Sequence, residues 1–274
     1  MVNVSGAVSL TGTTVATRLN INTGGVLTLG SANRIGDATA VVVDAGRLVL
    51  GGNDTVATFG LLNGGSLAGT GTLTAATYAL QGGVVSGNLG AGAATVTVGT
   101  TTLNGLLGSL AVDINSGSLV LGGGNRLASG ATVTLGGGTL ESGANATTIT
   151  TLQLNSGLVT GAGLLTATTY NLVTGEVAGA LGAGVANVTG AVSLTGTTVA
   201  TTLNINTGGV LTLGSAERIG GATLVDLNAG ELALGAFDNT VGGFTLRNGG
   251  LLSGTGTLTA ATYALQGGVV SGNL

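Results

Sequence analysis

The chain has no cysteine, no proline, no histidine and no tryptophan, and because its six basic residues are all arginine it has no lysine either. Without cysteine there is no disulfide and no thiolate metal site. Without histidine or lysine, carboxylates are the only ordinary general bases, and the many Ser and Thr hydroxyls have no partner for a nucleophile–base pair. The lack of proline, with glycine at no fixed interval of three, excludes collagen. Aromatics amount to 2%, too few for a conventional globular core or for the aromatic girdles of an outer-membrane barrel. Charged residues amount to 6%, whereas disordered chains are rich in charge and poor in aliphatics. Six arginines against ten acids give a net charge of −4, which leaves no basic surface to track a nucleic acid.

What the chain does have is 56 glycines in 274 residues and a mean hydropathy of +0.62, carried by Val, Leu and Ala. Gly, Thr and Asn interrupt every window of about 20 residues, so the hydropathy does not come from a membrane-spanning helix. Residues 69–89, GTGTLTAATYALQGGVVSGNL, return letter for letter at 254–274, and in looser form at 161–181 as GAGLLTATTYNLVTGEVAGAL. Three copies about 92 residues apart define a repeat protein. The repeat units run over about 1–94, 95–186 and 187–274. Met1–Gly6 has neither the basic start nor the apolar run of a signal peptide. Because the chain starts and stops within a repeat, it reads as an excerpt from a longer polypeptide.

A shorter period runs inside each copy. A glycine followed by any residue and then Leu or Val recurs at Gly25, Gly46, Gly65 and Gly83, then at Gly117, Gly138, Gly157 and Gly175, and again at Gly209, Gly230, Gly250 and Gly268. Steps of roughly 15 to 21 residues match one coil of a β-solenoid. Before each glycine, pairs such as Leu19/Ile21, Val41/Val43, Tyr78/Leu80 and Val112/Ile114 alternate at the strand period. Turn residues separate the two strands, as at Asn22-Thr23-Gly24, Asp44-Ala45-Gly46 and Asn63-Gly64-Gly65. A hairpin would also place Asn-Gly there, but it would not make each strand resemble the one a coil away. The expectation is an all-β fold, a right-handed parallel β-solenoid of about fifteen coils, continuous over residues 1–274. At strand spacing it would extend on the order of 70 Å.

Few residues suggest chemistry. Glycosidic cleavage needs two facing carboxylates. The acids Asp37, Asp44, Asp54, Asp113, Asp226, Asp238, Glu141, Glu176, Glu217 and Glu231 mostly stand alone in turns. Neighbouring coils could bring Asp44 to Asp54, or Asp226 to Asp238. No calcium-repeat or EF-hand pattern occurs, and Gly-x-Gly strings such as Gly69-Thr70-Gly71 follow from composition alone. Arg34, Arg126 and Arg218 share one repeat position and read as turn caps or solvent-exposed groups rather than an anion-binding stripe. Tyr78, Tyr170 and Tyr263, in phase with Leu80, Leu172 and Leu265, read as core rather than sugar-stacking platforms. The Thr-rich strings suggest ice binding, but their position shifts between coils, so β-propensity accounts for them. Asn3, Asn53, Asn145 and Asn187 begin glycosylation sequons, a pattern common by chance. No catalytic, cofactor or metal residue is assigned, and the ligand-binding residues are unknown. The chain reads as a non-enzyme without a cofactor.

Residues 27–52, LTLGSANRIGDATAVVVDAGRLVLGG, and 211–235, LTLGSAERIGGATLVDLNAGELALG, resemble the autotransporter-associated β-strand repeats of large bacterial autotransporter passengers and adhesin-like surface proteins. Residues 59–83 and 244–268 are similar to the same repeats. The resemblance covers nearly the whole chain and carries no catalytic signature. It implies a secreted, cell-surface structural rod or fibre segment that supports adhesion, aggregation or biofilm. The alternatives are a passenger domain that binds a specific glycan or surface and, third, a carbohydrate-active enzyme. The expected partners are further copies or a continuing chain, through end-to-end contact, and surface glycans, with neither nucleic acid nor a membrane span.

Overall fold

The structure, a computed structural model, describes residues 1–274 and is all-β, a parallel β-solenoid of about 14 turns with no helix. The chain divides into two compact units, Met1–Ala131 and Thr132–Leu274. The division falls inside the second of the three sequence copies.

In the first unit every winding has three faces. The first face stacks Val2–Val4, Arg18–Ile21, Ala40–Asp44, residues 58–62, residues 77–81, Ala93–Val96 and Ala111–Ile114. The second stacks Ala7–Leu10, Val26–Leu29, Arg47–Leu50, residues 66–69, residues 83–85, Thr100–Leu103 and Ser118–Leu121. All pairing is parallel and runs to the winding before or after, so the hairpin alternative falls away. Alternation then puts every second residue inside. Leu19, Val41, Phe59, Tyr78, Ala94 and Val112 form one buried column, and Ile21, Val43, Leu61, Leu80, Val96 and Ile114 form the next.

The third face is absent from the sequence expectation of two strands per coil. It is built from short bridges through Thr14, Ile35, residues 54–56, residues 73–75, Leu89, Leu107 and Leu127. Each winding gives it about one large apolar side chain, among them Ile35, Val56, Leu73, Leu89 and Leu107. Where the windings meet by single bridges, one residue per coil has no alternation to read; only stretches such as residues 54–56, 73–75 and 165–167 alternate there. The winding length runs from 16 residues between Tyr78 and Ala94 to 22 between Leu19 and Val41, close to the expected steps.

The second unit repeats the plan. Its first face runs from residues 132–135 through 151–154, 169–172, Val185–Val188, Thr202–Ile205, Leu224–Asn228 and Gly243–Arg247 to Tyr263–Leu265. Its second face ends in Glu231–Ala233, Gly250–Ser253 and Gly268–Val270. Its third face includes Ala180–Leu181, Thr197–Thr198, Ile219, and the pair Asn239–Val241 with Leu258–Ala260.

The corner between the first two faces explains the glycine period. The chain there passes directly over the preceding winding. A Cβ on Gly46 would lie 2.6 Å from the Ile21 carbonyl oxygen, and one on Gly65 2.6 Å from that of Val43. Only glycine lets two backbones approach so closely. Just before these glycines, Ala45 and Asn63 adopt φ of 53° and 51°, a left-handed conformation that Asn tolerates and that Ala rarely adopts.

Candidate functional sites on the faces and corners

The acids do not form facing pairs. Asp44 accepts a hydrogen bond from Asn63 Nδ2 at 2.7 Å in the corner between the first two faces, whereas Asp54 lies buried on the third face. Asp226 sits on the first face, held by Arg247, while Asp238 accepts from the Thr257 amide at 2.7 Å at the start of a third-face strand. Neither of the proposed carboxylate pairs is therefore assembled. The remaining braced acids follow the same habit. Glu176 accepts from Thr195 Oγ1 at 2.6 Å, Glu231 from Ser253 Oγ at 2.6 Å, and Glu217 from the Thr240 amide at 3.2 Å. Each ties one winding to the next. No three acidic residues gather where a metal ion could be held.

Of the three arginines at the shared repeat position, Arg34 and Arg218 cap turns, as expected. Arg34 Nε donates to Ser31 Oγ at 2.8 Å and its Nη1 to the Thr11 carbonyl at 3.1 Å. Arg218 repeats this with the carbonyls of Ala216 and Thr195. Arg126 differs, because its Nε is buried without a partner.

Beside these arginines lies a buried, multiply bonded acid that the sequence offered only as a turn acid or a possible partner of Asp44. Asp54 is 2% exposed. Its Oδ2 accepts from the Arg34 amide at 2.7 Å, and its Oδ1 from the Ile35 amide at 3.2 Å. It holds in place the loop that makes the 22-residue winding. Burial pushes its carboxyl above the usual range, and the backbone donors at Arg34, Ile35 and Thr55 oppose that rise. In the third copy the equivalent residue is Asn239, whose Oδ1 accepts from the Arg218 amide at 2.8 Å while its Nδ2 is buried without a partner. The residues just before them are exchanged too. Asn53 Oδ1 accepts from the Thr72 amide and Asp238 Oδ1 from that of Thr257. The signal lay in the sequence as Asn53-Asp54 against Asp238-Asn239.

Tyr78 and Tyr170 are core residues, as expected, and their hydroxyls do further work. Tyr78 Oη accepts from the Ala75 amide at 2.9 Å and donates to the Leu73 carbonyl at 3.0 Å. Tyr170 makes the same pair with Ala167 and Leu165. The ring thus closes the corner between the third face and the first, which accounts for the recurrence of LTAATY and LTATTY. Burial raises both hydroxyl pKa values.

The first face points a polar row outward. Asn20 Nδ2 donates to Asn3 Oδ1 at 2.8 Å; in the second unit Asn204 donates to Asn187 at 2.9 Å and Asn187 to Asn171 at 3.4 Å. Stacked amides of this kind satisfy one another along a parallel ladder. Two of the sequon asparagines, Asn3 and Asn187, therefore belong to this row. Further along, small residues leave a shallow trough at equivalent places in each unit. One of about 270 Å³ lies against Val42, Gly60 and Ala79, and one of about 310 Å³ against Asp226, Thr245 and Ala264. The second is bordered by the bidentate Arg247–Asp226 pair at 2.8 and 2.5 Å, and Arg247 holds the Asp226 carboxyl below its usual range. No helix is long and apolar enough to cross a membrane.

No family model, curated protein or solved structure matches the chain.

Proposed function

We propose that this chain is a structural, load-bearing segment of an extracellular bacterial surface protein, serving adhesion, aggregation or biofilm by holding other parts at a distance and by associating end to end. The observation that carries this reading is where the polar side chains go. Seven of the ten acids, four of the arginines and the buried tyrosines bond to their own or the neighbouring winding; of the seven acids, Asp226 alone borders one of the two first-face troughs, and it is already paired with Arg247. Stacked windings whose energy lies in nearest-neighbour contacts unfold in sequence rather than all at once. Pulling single chains between their ends should therefore give a sawtooth or plateau of successive windings. Extension at negligible force would count against a load-bearing role.

A second reading, a passenger that binds a glycan or a surface, is favoured by one feature, the recurrence of the outer-face trough at Gly60 and Thr245 in the two units. A glycan array separates the two readings. Reproducible binding lost in both Gly60→Arg and Thr245→Arg would favour the adhesin.

A further inference from the structure

Each unit carries the same two-part groove within its own windings. In the first, the trough of about 270 Å³ over Val42, Gly60 and Ala79 adjoins a second cavity of about 250 Å³ at the corner between the third and first faces, the two meeting at Thr17 and Arg18. In the second, the trough of about 310 Å³ adjoins a corner cavity of about 490 Å³, and Leu224 lines both. Six of the seven residues that line the first corner cavity recur unchanged in the second, with Val15, Thr17 and Ala38 answered by Val199, Thr201 and Ala222. The first-unit groove is no end of the stack, because Val2–Val4 and Ala93–Val96 pair with its outermost windings on either side. The middle copy fills the same place. Thr14, Leu107 and Thr198 each donate an amide hydrogen bond to the carbonyl of the repeat-position arginine, Arg34, Arg126 or Arg218, so Leu110 stands where Thr17 and Thr201 stand. A Cβ on Gly130 would lie 3.3 Å from Leu110 Cδ2, so the leucine reaches the facing turn across the gap that the two threonines leave open.

The geometry points to these two grooves as binding sites for a neutral, linear polysaccharide, with Leu110 as the plug that leaves the middle copy without one. This rests on the glycan-binding reading above and deepens it by naming the charge class of the ligand and the residues that admit it. Every charged position in one groove is uncharged in the other. Arg18 stands against Thr202, Asp37 against Gly221, and Val42 against Asp226, whose carboxylate Arg247 already holds. An acidic polymer would need a cation at the same place in both grooves, and a basic polymer a common acid. What recurs in both is uncharged, namely the hydroxyls of Thr17/Thr201 and Thr77/Thr262 and the methyls of Val15/Val199 and Ala79/Ala264. The Thr17, Thr77 and Thr262 hydroxyls make no hydrogen bond within the protein, and each can donate and accept. A mainly apolar lining with a few such groups is the usual make-up of a ligand cleft, and it matches the C–H and hydroxyl edges of an uncharged sugar. Four successive windings about 4.8 Å apart border the first trough. That run of about 14 Å suits several linked rings rather than one.

An array of linear oligosaccharides, with glucan, chitin and mannan chains beside galacturonate and heparin chains, tests the charge class. Calorimetric titration of the 274-residue chain with the strongest-binding neutral oligosaccharide then tests the place. The expected result is binding of a neutral chain at two equivalents per protein, one for each groove. Thr17→Leu and Thr201→Leu should each remove one equivalent, and the double variant should bind more than about tenfold more weakly. Leu110 shows that the fold accepts leucine at this place. Ala38→Leu, on the exposed turn that faces Thr17, should remove the same equivalent as Thr17→Leu, so the outcome does not hang on one substitution. Val98→Leu, at an exposed site outside both grooves, should bind like the parent. Neutral binding that persists undiminished in the double variant overturns the grooves and leaves the adhesin reading standing. Binding of acidic chains alone overturns the neutral assignment and also leaves that reading standing. Binding of no glycan overturns both together.

Discussion

The Tyr170 hydroxyl accepts a hydrogen bond from the Ala167 amide at 2.8 Å and donates to the Leu165 carbonyl at 3.0 Å, so one side chain fixes both polar ends of a corner three residues before it. Tyr170→Phe keeps the ring and strands the Ala167 amide, while the Leu165 carbonyl still accepts from the Gly182 amide at 2.8 Å. It should cost about 1–3 kcal/mol in chemical denaturation. Tyr263→Phe, at the open last winding, should cost clearly less, because water can reach the freed groups there. Equal losses at the two sites would show that the corner bond is not what the hydroxyl contributes.

Asp54 should make stability fall with rising pH over an acidic window. Burial holds its folded-state carboxyl above the ordinary aspartate range, so the folded chain holds the proton more tightly than the unfolded one. The stability it contributes is complete below about pH 4, its unfolded value, and is lost as pH rises through the folded value. The groups facing it are the Arg34, Ile35 and Thr55 amides and, at longer range, the Asp37 carboxylate. Asp54→Asn should therefore gain stability relative to the parent between pH 4 and pH 7, measured as the shift in urea midpoint. A difference that does not change with pH would refute this.

Asp226 should behave in the opposite sense. Arg247 lowers its carboxyl pKa, so the contribution is present above the unfolded value and is lost as pH falls through the folded one. Because Arg247 is largely solvated, Arg247→Ala should produce only a small destabilisation at neutral pH. That loss should shrink with added salt and vanish at strongly acidic pH.

Glycine substitutions should divide by position rather than by residue type. Gly83 has φ of 143°, and a Cβ there would run into the Gly65 carbonyl of the winding below, whereas Gly12 has open space around it. Gly83→Ala should destabilise by more than about 2 kcal/mol, and Gly12→Ala should stay within about 0.5 kcal/mol of the parent. Melting temperatures of the two variants give the comparison, and similar values would mean that the corner is not a close backbone crossing.

The sequence by itself determined the parallel stacking, the inward columns of the first two faces and the glycine corners. All three are written as a period, and Val41 or Leu61 can face inward only if its neighbours Val42 and Leu62 face out. The period also separated Tyr78 as a core residue from a surface platform. Tertiary structure alone decided the third face, where many windings offer a single apolar residue such as Ile35, Leu89 or Leu107 with no alternation to mark it. It alone showed that Asp54 and Asn239 brace an enlarged winding, because their donors lie 19 to 21 residues back in the chain. Windings differ in length from 16 to 22 residues. Which side chains meet across them is therefore set by how much chain each corner absorbs, and local sequence does not encode that sum.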